Sequence, residues 1–158
     1  MAKVLVLYFT RTGNTKAMAE IVADAAEREG AETVLKDVEE TRPEEMLDYD
    51  AIVAGSPTYY GGMAGKLKDF FDFSVAHHGK LSGKVGGAFT SSANIGGGNE
   101  TTVLGILQVM LIHGMIVQGT AEGDHYGPVS IDAPDDRVKS QCKALGRRVA
   151  SLAKTLFG

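Results

Sequence analysis

A chain of 158 residues with 44% apolar content can bury one core and is short for two domains, so a single domain over residues 1–158 is expected. Sixteen basic against 20 acidic residues give a net charge of −4, which argues against a nucleic-acid binder, a class that carries a basic stripe. No stretch approaches the ~18 apolar residues of a membrane span, and the run after Met1-Ala2-Lys3 is too short for a secretory signal, so a cytoplasmic protein without membrane insertion is expected.

Lys3 to Phe9 is apolar nearly throughout, as a strand buried on both faces should be. A polar loop follows, then a helix from about Thr15 to Glu29, in which Ala17, Met18, Ile21, Val22, Ala25 and Ala26 make one apolar face and Gly30 stands as C-cap. Glu32 to Lys36 reads as a short strand, Pro43 to Asp48 as a helical turn, and Ala51 to Gly55 as a third, buried strand. A Gly- and Tyr-rich loop spans Ser56 to Gly62, and a helix runs from about Ala64 to Ser74. Lys84 to Thr90 is the fourth strand, and Ser91 to Gly98 a loop of small residues. Asn99 to Ile112 forms a helix with Val103, Ile106, Leu107, Met110 and Leu111 inward, and Met115 to Gly119 is the fifth strand. Thr120 to Ile131 lacks periodicity and reads as loop. The last helix, about Asp135 to Leu156, carries Val138, Cys142, Leu145, Val149, Leu152 and Leu156 at steps of four and three, with Gly146 slightly weakening it. Cys142 is the only cysteine, so no intrachain disulfide or cysteine metal cluster forms, and on that face it reads as a small hydrophobe.

Strands alternating with helices predict an α/β fold: a doubly wound parallel sheet of five strands, order 2-1-3-4-5, in a three-layer α/β/α stack. Such sheets bind ligands beyond the carboxyl ends of their strands, which singles out the loops after strands one, three and four.

In the first of these loops, Thr10-Arg11-Thr12-Gly13-Asn14-Thr15, four of six residues carry a hydroxyl or amide. A helix N-terminus there offers free N–H groups and partial positive charge to a phosphate, although a well-capped strand-to-helix turn uses the same residue types. Neither a G-x-x-x-x-G-K-[ST] nor a G-x-G-x-x-G pattern is present. Together with Ser56-Pro57-Thr58-Tyr59-Tyr60-Gly61-Gly62-Met63-Ala64-Gly65, Thr90 to Thr102 and His113-Gly114-Met115, this loop resembles the flavodoxin-like FMN-binding family. The resemblance is closest to the NAD(P)H:quinone oxidoreductases related to the tryptophan-repressor-binding protein, and it spans nearly the whole chain.

That resemblance implies FMN as cofactor and Thr10, Arg11, Thr12, Gly13, Asn14 and Thr15 as its phosphate loop. Pro57, Thr58, Tyr59, Tyr60 and Gly61 would then meet the flavin from the second loop, and Ser91, Ser92, Ala93, Asn94 and Gly97 from the third. Tyr59 and Tyr60 offer an aromatic surface to a flat ring, or else serve as turn residues or partner contacts. His113 would sit near the flavin as a catalytic residue, against the alternative of a helix C-terminal histidine satisfied by the last carbonyls. No metal site is expected.

No aromatic residue lies between Thr90 and Asn99, so one flavin face is left for a second flat molecule, a nicotinamide or a quinone. This favours an enzyme passing electrons from NAD(P)H to a quinone-type acceptor over a flavodoxin-type carrier serving a redox partner protein. A flavin-free interaction domain of the same fold is a third reading. The connection after the fifth strand is brief for that group, and Tyr126 would close the site from a neighbouring subunit if the chain forms a homo-oligomer.

Overall fold

The computed structural model describes residues 1–158. Its elements are β1 (Lys3–Tyr8), α1 (Asn14–Arg28), β2 (Glu32–Asp37), β3 (Ala51–Tyr59), β4 (Gly62–Met63), α2 (Gly65–Phe73), β5 (Val85–Ser92), α3 (Asn99–Ile112), β6 (Ile116–Val117), β7 (Val129–Ile131) and α4 (Asp136–Phe157). The sheet runs β2-β1-β3-β5-β6 with every neighbour parallel, which is the expected 2-1-3-4-5 order of a flavodoxin-like α/β/α fold. Short 3₁₀ helices occupy Val38–Glu40, Pro43–Asp48 and Ser74–His77.

Strand alternation divides the core into two halves. Val4, Val6 and Tyr8 point to one face of the sheet, where α1 and α4 cover them, while Leu5, Leu7 and Phe9 point to the other, under α2 and α3. Both faces of β1 are therefore dry, which is why its sequence reads as a continuous apolar run. α4 begins where the Asp135 carboxylate accepts the Val138 N–H at 2.8 Å. Its Cys142 is fully buried, and burial pushes the thiol up to about 12.

Gly146 has a packing role. A Cβ there would lie 2.3 Å from the Val22 carbonyl oxygen and 2.9 Å from Ala25 Cβ, so the glycine lets α4 approach the backbone of α1. Leu111, expected inward, is 58% exposed, because the buried stripe of α3 is Val103, Ile106, Leu107 and Met110.

The fifth strand departs from the sequence reading. Only Ile116 and Val117 pair with the start of β5, opposite Val85 and Gly86. The chain then leaves the sheet and returns as Val129–Ile131, which pairs with Thr90, Ser91 and Ser92 at the other end of the same strand. Thr120 to Ile131 was expected to be loop throughout, and its last three residues are strand. Neighbouring β5 supplies the ladder that a three-residue segment cannot announce by its own periodicity. Asp124 holds the excursion in place. Its carboxylate takes Arg137 Nη1 at 2.7 Å and the Val129 N–H at 3.0 Å, while its own N–H donates to Gln141 Oε1 at 3.0 Å.

Two of the expected loops are also shorter than expected. β3 continues to Tyr59 and turns back through Tyr60 and Gly61 into β4, pairing Thr58 with Met63 and Tyr59 with Gly62. β5 continues to Ser92.

Candidate functional site

A cavity of about 330 Å³ opens at the carboxyl ends of β1, β3 and β5. The first loop contributes Thr10, Arg11, Thr12, Asn14 and Thr15, the second Pro57, Thr58 and Tyr59, and the third Ser91, Ser92 and Ala93. Eleven of the sixteen residues singled out in the three loops thus converge, as the topology of a doubly wound sheet requires.

Gly13 stands at the N-cap of α1 with φ of 100°, a backbone conformation a side chain would resist, and caps nothing with a side chain. The helical ladder begins at Ala17 N–H to Gly13 O, so the N–H groups of Asn14, Thr15 and Lys16 precede its first bond. No acidic residue stands in the first turn to compete for them. Thr10 Oγ1 shapes the loop by accepting the Gly13 N–H at 3.0 Å.

The floor is a network of hydroxyls. Thr15 Oγ1 and Ser91 Oγ are hydrogen-bonded at 2.8 Å. Thr90 Oγ1 donates to the Ser56 carbonyl at 2.6 Å, which leaves Thr58 Oγ1 to donate to Thr90 Oγ1 at 2.9 Å. Ser56 Oγ accepts the Ala64 N–H at 2.8 Å and donates to the Pro57 carbonyl at the same distance. These bonds leave Thr10, Thr12 and Asn14 at the rim of a rigid base.

Tyr59 faces the cavity with the Arg11 guanidinium 5.1 Å from its ring centroid. Tyr60 does not line the cavity. It lies at the hairpin tip, fully exposed, with φ of 48°. Gly61 follows at φ 79°, and its carbonyl accepts Thr101 Oγ1 at 3.1 Å. A Cβ on Gly98 would meet Gly61 Cα at 2.6 Å, so the hairpin tip rests directly on the start of α3. Asn94 and Gly97 sit on the outer part of the third loop, where Asn94 Nδ2 donates to the Ile95 carbonyl at 3.1 Å, and neither lines the cavity.

Asp132 is a lining residue that sequence reasoning missed. It follows β7, has φ of 56°, and is clamped by its N–H to the Ser92 carbonyl (2.8 Å) and by Ser130 Oγ donating to its own carbonyl (2.9 Å). Its place at the site follows from the pairing of β7 with the end of β5, which no signal within three residues announces.

His113 does not line this cavity and lies instead beside Phe71, Ser74 and His78. It is the C-cap of α3, a helix of 14 residues, ~20 Å long at ~1.5 Å per residue, that begins after the third loop. There Ser74 Oγ donates to the Phe71 carbonyl at 2.6 Å, so Nε2 of His113 carries the ring proton and donates to Ser74 Oγ at 2.7 Å. Burial, followed by the nearby His78 and His77, lowers its pKa below the ordinary value and keeps the ring neutral. The histidine belongs to the opposite edge of the sheet because α3 runs antiparallel to the strands.

Comparison with known proteins agrees with this fold. The pattern of the family described as "Flavodoxin domain" matches residues 5–98. An Archaeoglobus fulgidus protein named "NAD(P)H dehydrogenase (quinone)" is 37% identical over 190 aligned positions, covering 99% of this chain and all of the relative. An Aquifex aeolicus "Flavodoxin" is 43% identical, covering 95% of this chain and 86% of the relative. Among solved structures, a "flavodoxin, WrbA-like protein" from Agrobacterium tumefaciens superposes with a TM-score of 0.83 at 27% identity, covering 98% of this chain and 99% of that one. With its sheet order, its three convergent loops and these similarities, the chain belongs to the flavodoxin domain family.

Proposed function

We propose that this chain is an FMN-dependent oxidoreductase that takes electrons from NAD(P)H and passes them to a quinone-type acceptor in the cytoplasm. The observation that carries the reading is the asymmetry of the cavity. Tyr59 supplies an aromatic surface on the side of the second loop, while Ser91, Ser92 and Ala93 on the other side are small. A flat cofactor stacked on Tyr59 keeps one face open to a second flat molecule. Relatives named for NAD(P)H and quinone chemistry support the same reading.

The residues present fit FMN. The free N–H groups at the start of α1, with Thr10, Thr12, Asn14 and Thr15 around them, suit a phosphate without needing a cation. Asp132 is the one carboxylate lining the cavity, and it is suited to accept hydrogen bonds from sugar-alcohol hydroxyls. When bound, FMN supplies the hydride-accepting and electron-delivering chemistry. The chain's part is to bind and orient it, with Thr15 and Ser91 fixing the first and third loops against each other.

Anaerobic mixing of FMN-loaded protein with NADH or NADPH, followed at the flavin absorbance, tests the proposal. The expected result is bleaching in one phase with no long-wavelength one-electron band. Absence of bleaching by either nucleotide, with such a band on stepwise chemical reduction, would establish instead a carrier that serves a redox partner protein. The "Flavodoxin" name of the Aquifex aeolicus relative favours that second reading.

A further inference from the structure

We infer that the Arg11 side chain binds a phosphate of the nicotinamide nucleotide, at the mouth between the first and second loops, and is not part of the cradle for the cofactor's phosphate. The inference rests on the oxidoreductase reading above.

Arg11 and Asp132 are the only charged residues lining the cavity, one on the first loop and one beyond the third. Although Arg11 belongs to the loop expected to bind FMN phosphate, its guanidinium turns across to the second loop and lies over Tyr59. The cofactor's phosphate is provided for without it, by uncapped N–H groups and hydroxyls at the start of α1. Arg11 takes part in none of the chain's ion pairs. Lys66, Arg42 and Arg137 are committed to Glu39, Glu44 and Asp124, and Lys16, unpaired in the first turn of α1, does not line the cavity.

What remains is an exposed, uncommitted guanidinium held against an aromatic face. Its planar fork suits a phosphate, and the tyrosine limits the freedom it would lose on binding one. Of the two substrates, quinones are neutral and the nicotinamide nucleotide is a polyanion. A chain of net charge −4 repels such a polyanion at long range, so a local cation decides where it docks. Asp132 repels phosphate, so the nucleotide's phosphates reach toward Arg11 at the mouth while its ring lies on the open face beside Ser91–Ala93.

The shared chemistry is a phosphate, contributed by the diphosphate bridge of either nucleotide or by the 2′-phosphate that NADPH alone carries. The test compares FMN-loaded wild type with Arg11→Ala and Arg11→Lys, measuring dissociation constants for NAD⁺ and NADP⁺ calorimetrically at low and high salt, and for FMN by fluorescence quenching. Arg11→Ala is expected to weaken nucleotide binding about tenfold or more, the scale of a charge-assisted hydrogen bond. FMN affinity should shift less than about threefold, the salt dependence of nucleotide binding should flatten, and Arg11→Lys should recover part of the loss. Loss confined to NADP⁺ assigns the 2′-phosphate, and equal loss for both assigns the diphosphate.

A tenfold loss of FMN affinity with nucleotide binding unchanged overturns the inference and returns Arg11 to the cofactor. No change in either affinity, or no nucleotide binding to the wild type, overturns it as well. If the wild type binds nucleotide through Arg11 and NAD(P)H does not bleach the flavin, the oxidoreductase reading fails while the assignment of Arg11 stands.

Discussion

Thr15 and Ser91, 76 residues apart, share a buried hydrogen bond of 2.8 Å between their hydroxyl oxygens. It ties the first turn of α1 to the end of β5, and so the first loop to the third. Thr15 is 1% exposed, which leaves no water to replace the bond.

Thr15→Val removes one hydroxyl and strands the other. The expected cost is about 2 kcal/mol, the scale of an unsatisfied buried hydroxyl, or ~4–8 °C in Tm for a chain of this size. FMN affinity should fall about tenfold, since the two loops lose their fixed spacing. Thermal unfolding of the apoprotein and FMN fluorescence titration check the two effects separately. Unaltered FMN affinity despite a lowered Tm would assign the bond to stability alone.

Asp132 carries an uncommon positive φ for a residue with a side chain, held by its N–H bond to the Ser92 carbonyl and by the Ser130 hydroxyl donating to its own carbonyl. Asp132→Gly should relieve the strain and keep the fold, while removing the one carboxylate of the cavity. The expected outcome is FMN affinity lowered about three- to tenfold with Tm unchanged or raised. An FMN titration identical to wild type would remove Asp132 from the site.

His113→Asn separates the two roles considered for this histidine. Turnover with NAD(P)H should stay within about twofold of wild type, because the residue does not line the cavity. Stability should fall by about 1–3 kcal/mol as the bond to Ser74 is lost. The pH dependence carries the same information. Burial lowers the folded-state pKa of His113 below 6.5, so the unfolded chain binds the proton more readily. The associated stability is fully present above pH ~6.5 and is lost as pH falls below that value toward the folded-state pKa. Melting curves from pH 7.5 to 5 should fall more steeply for wild type than for the variant.

Gly146→Ala sets propensity against packing. On an exposed helix this change stabilises by about 1 kcal/mol. Here the new Cβ meets the Val22 backbone oxygen, and α1 and α4 must separate. The expected net outcome is destabilisation by about 1–3 kcal/mol, readable as a lower urea midpoint. A raised midpoint would show that the helix pair yields at little cost.

Periodicity and composition determined the order of elements, the parallel sheet and the three loops at its carboxyl edge. A double-faced buried strand such as Lys3–Tyr8 leaves a continuous apolar run, and α1 and α4 leave stripes at helical spacing. The donor-rich residues from Thr10 to Thr15 were legible as well, since their chemistry is local to one turn. Contacts made across long sequence separations were decided only in the tertiary structure. The pairing of Val129–Ile131 with Thr90–Ser92 brings Asp132 to the cavity, and no local pattern of three residues encodes its distant partner strand. His113 stands beside a motif in the sequence, yet the length and direction of α3 put it at the far edge of the sheet. Gly146 reads as a weak point of a helix until α1 is packed against it. In each case side-chain identity is a property of the sequence, whereas its neighbours depend on where the chain returns, and only the folded sheet fixes that.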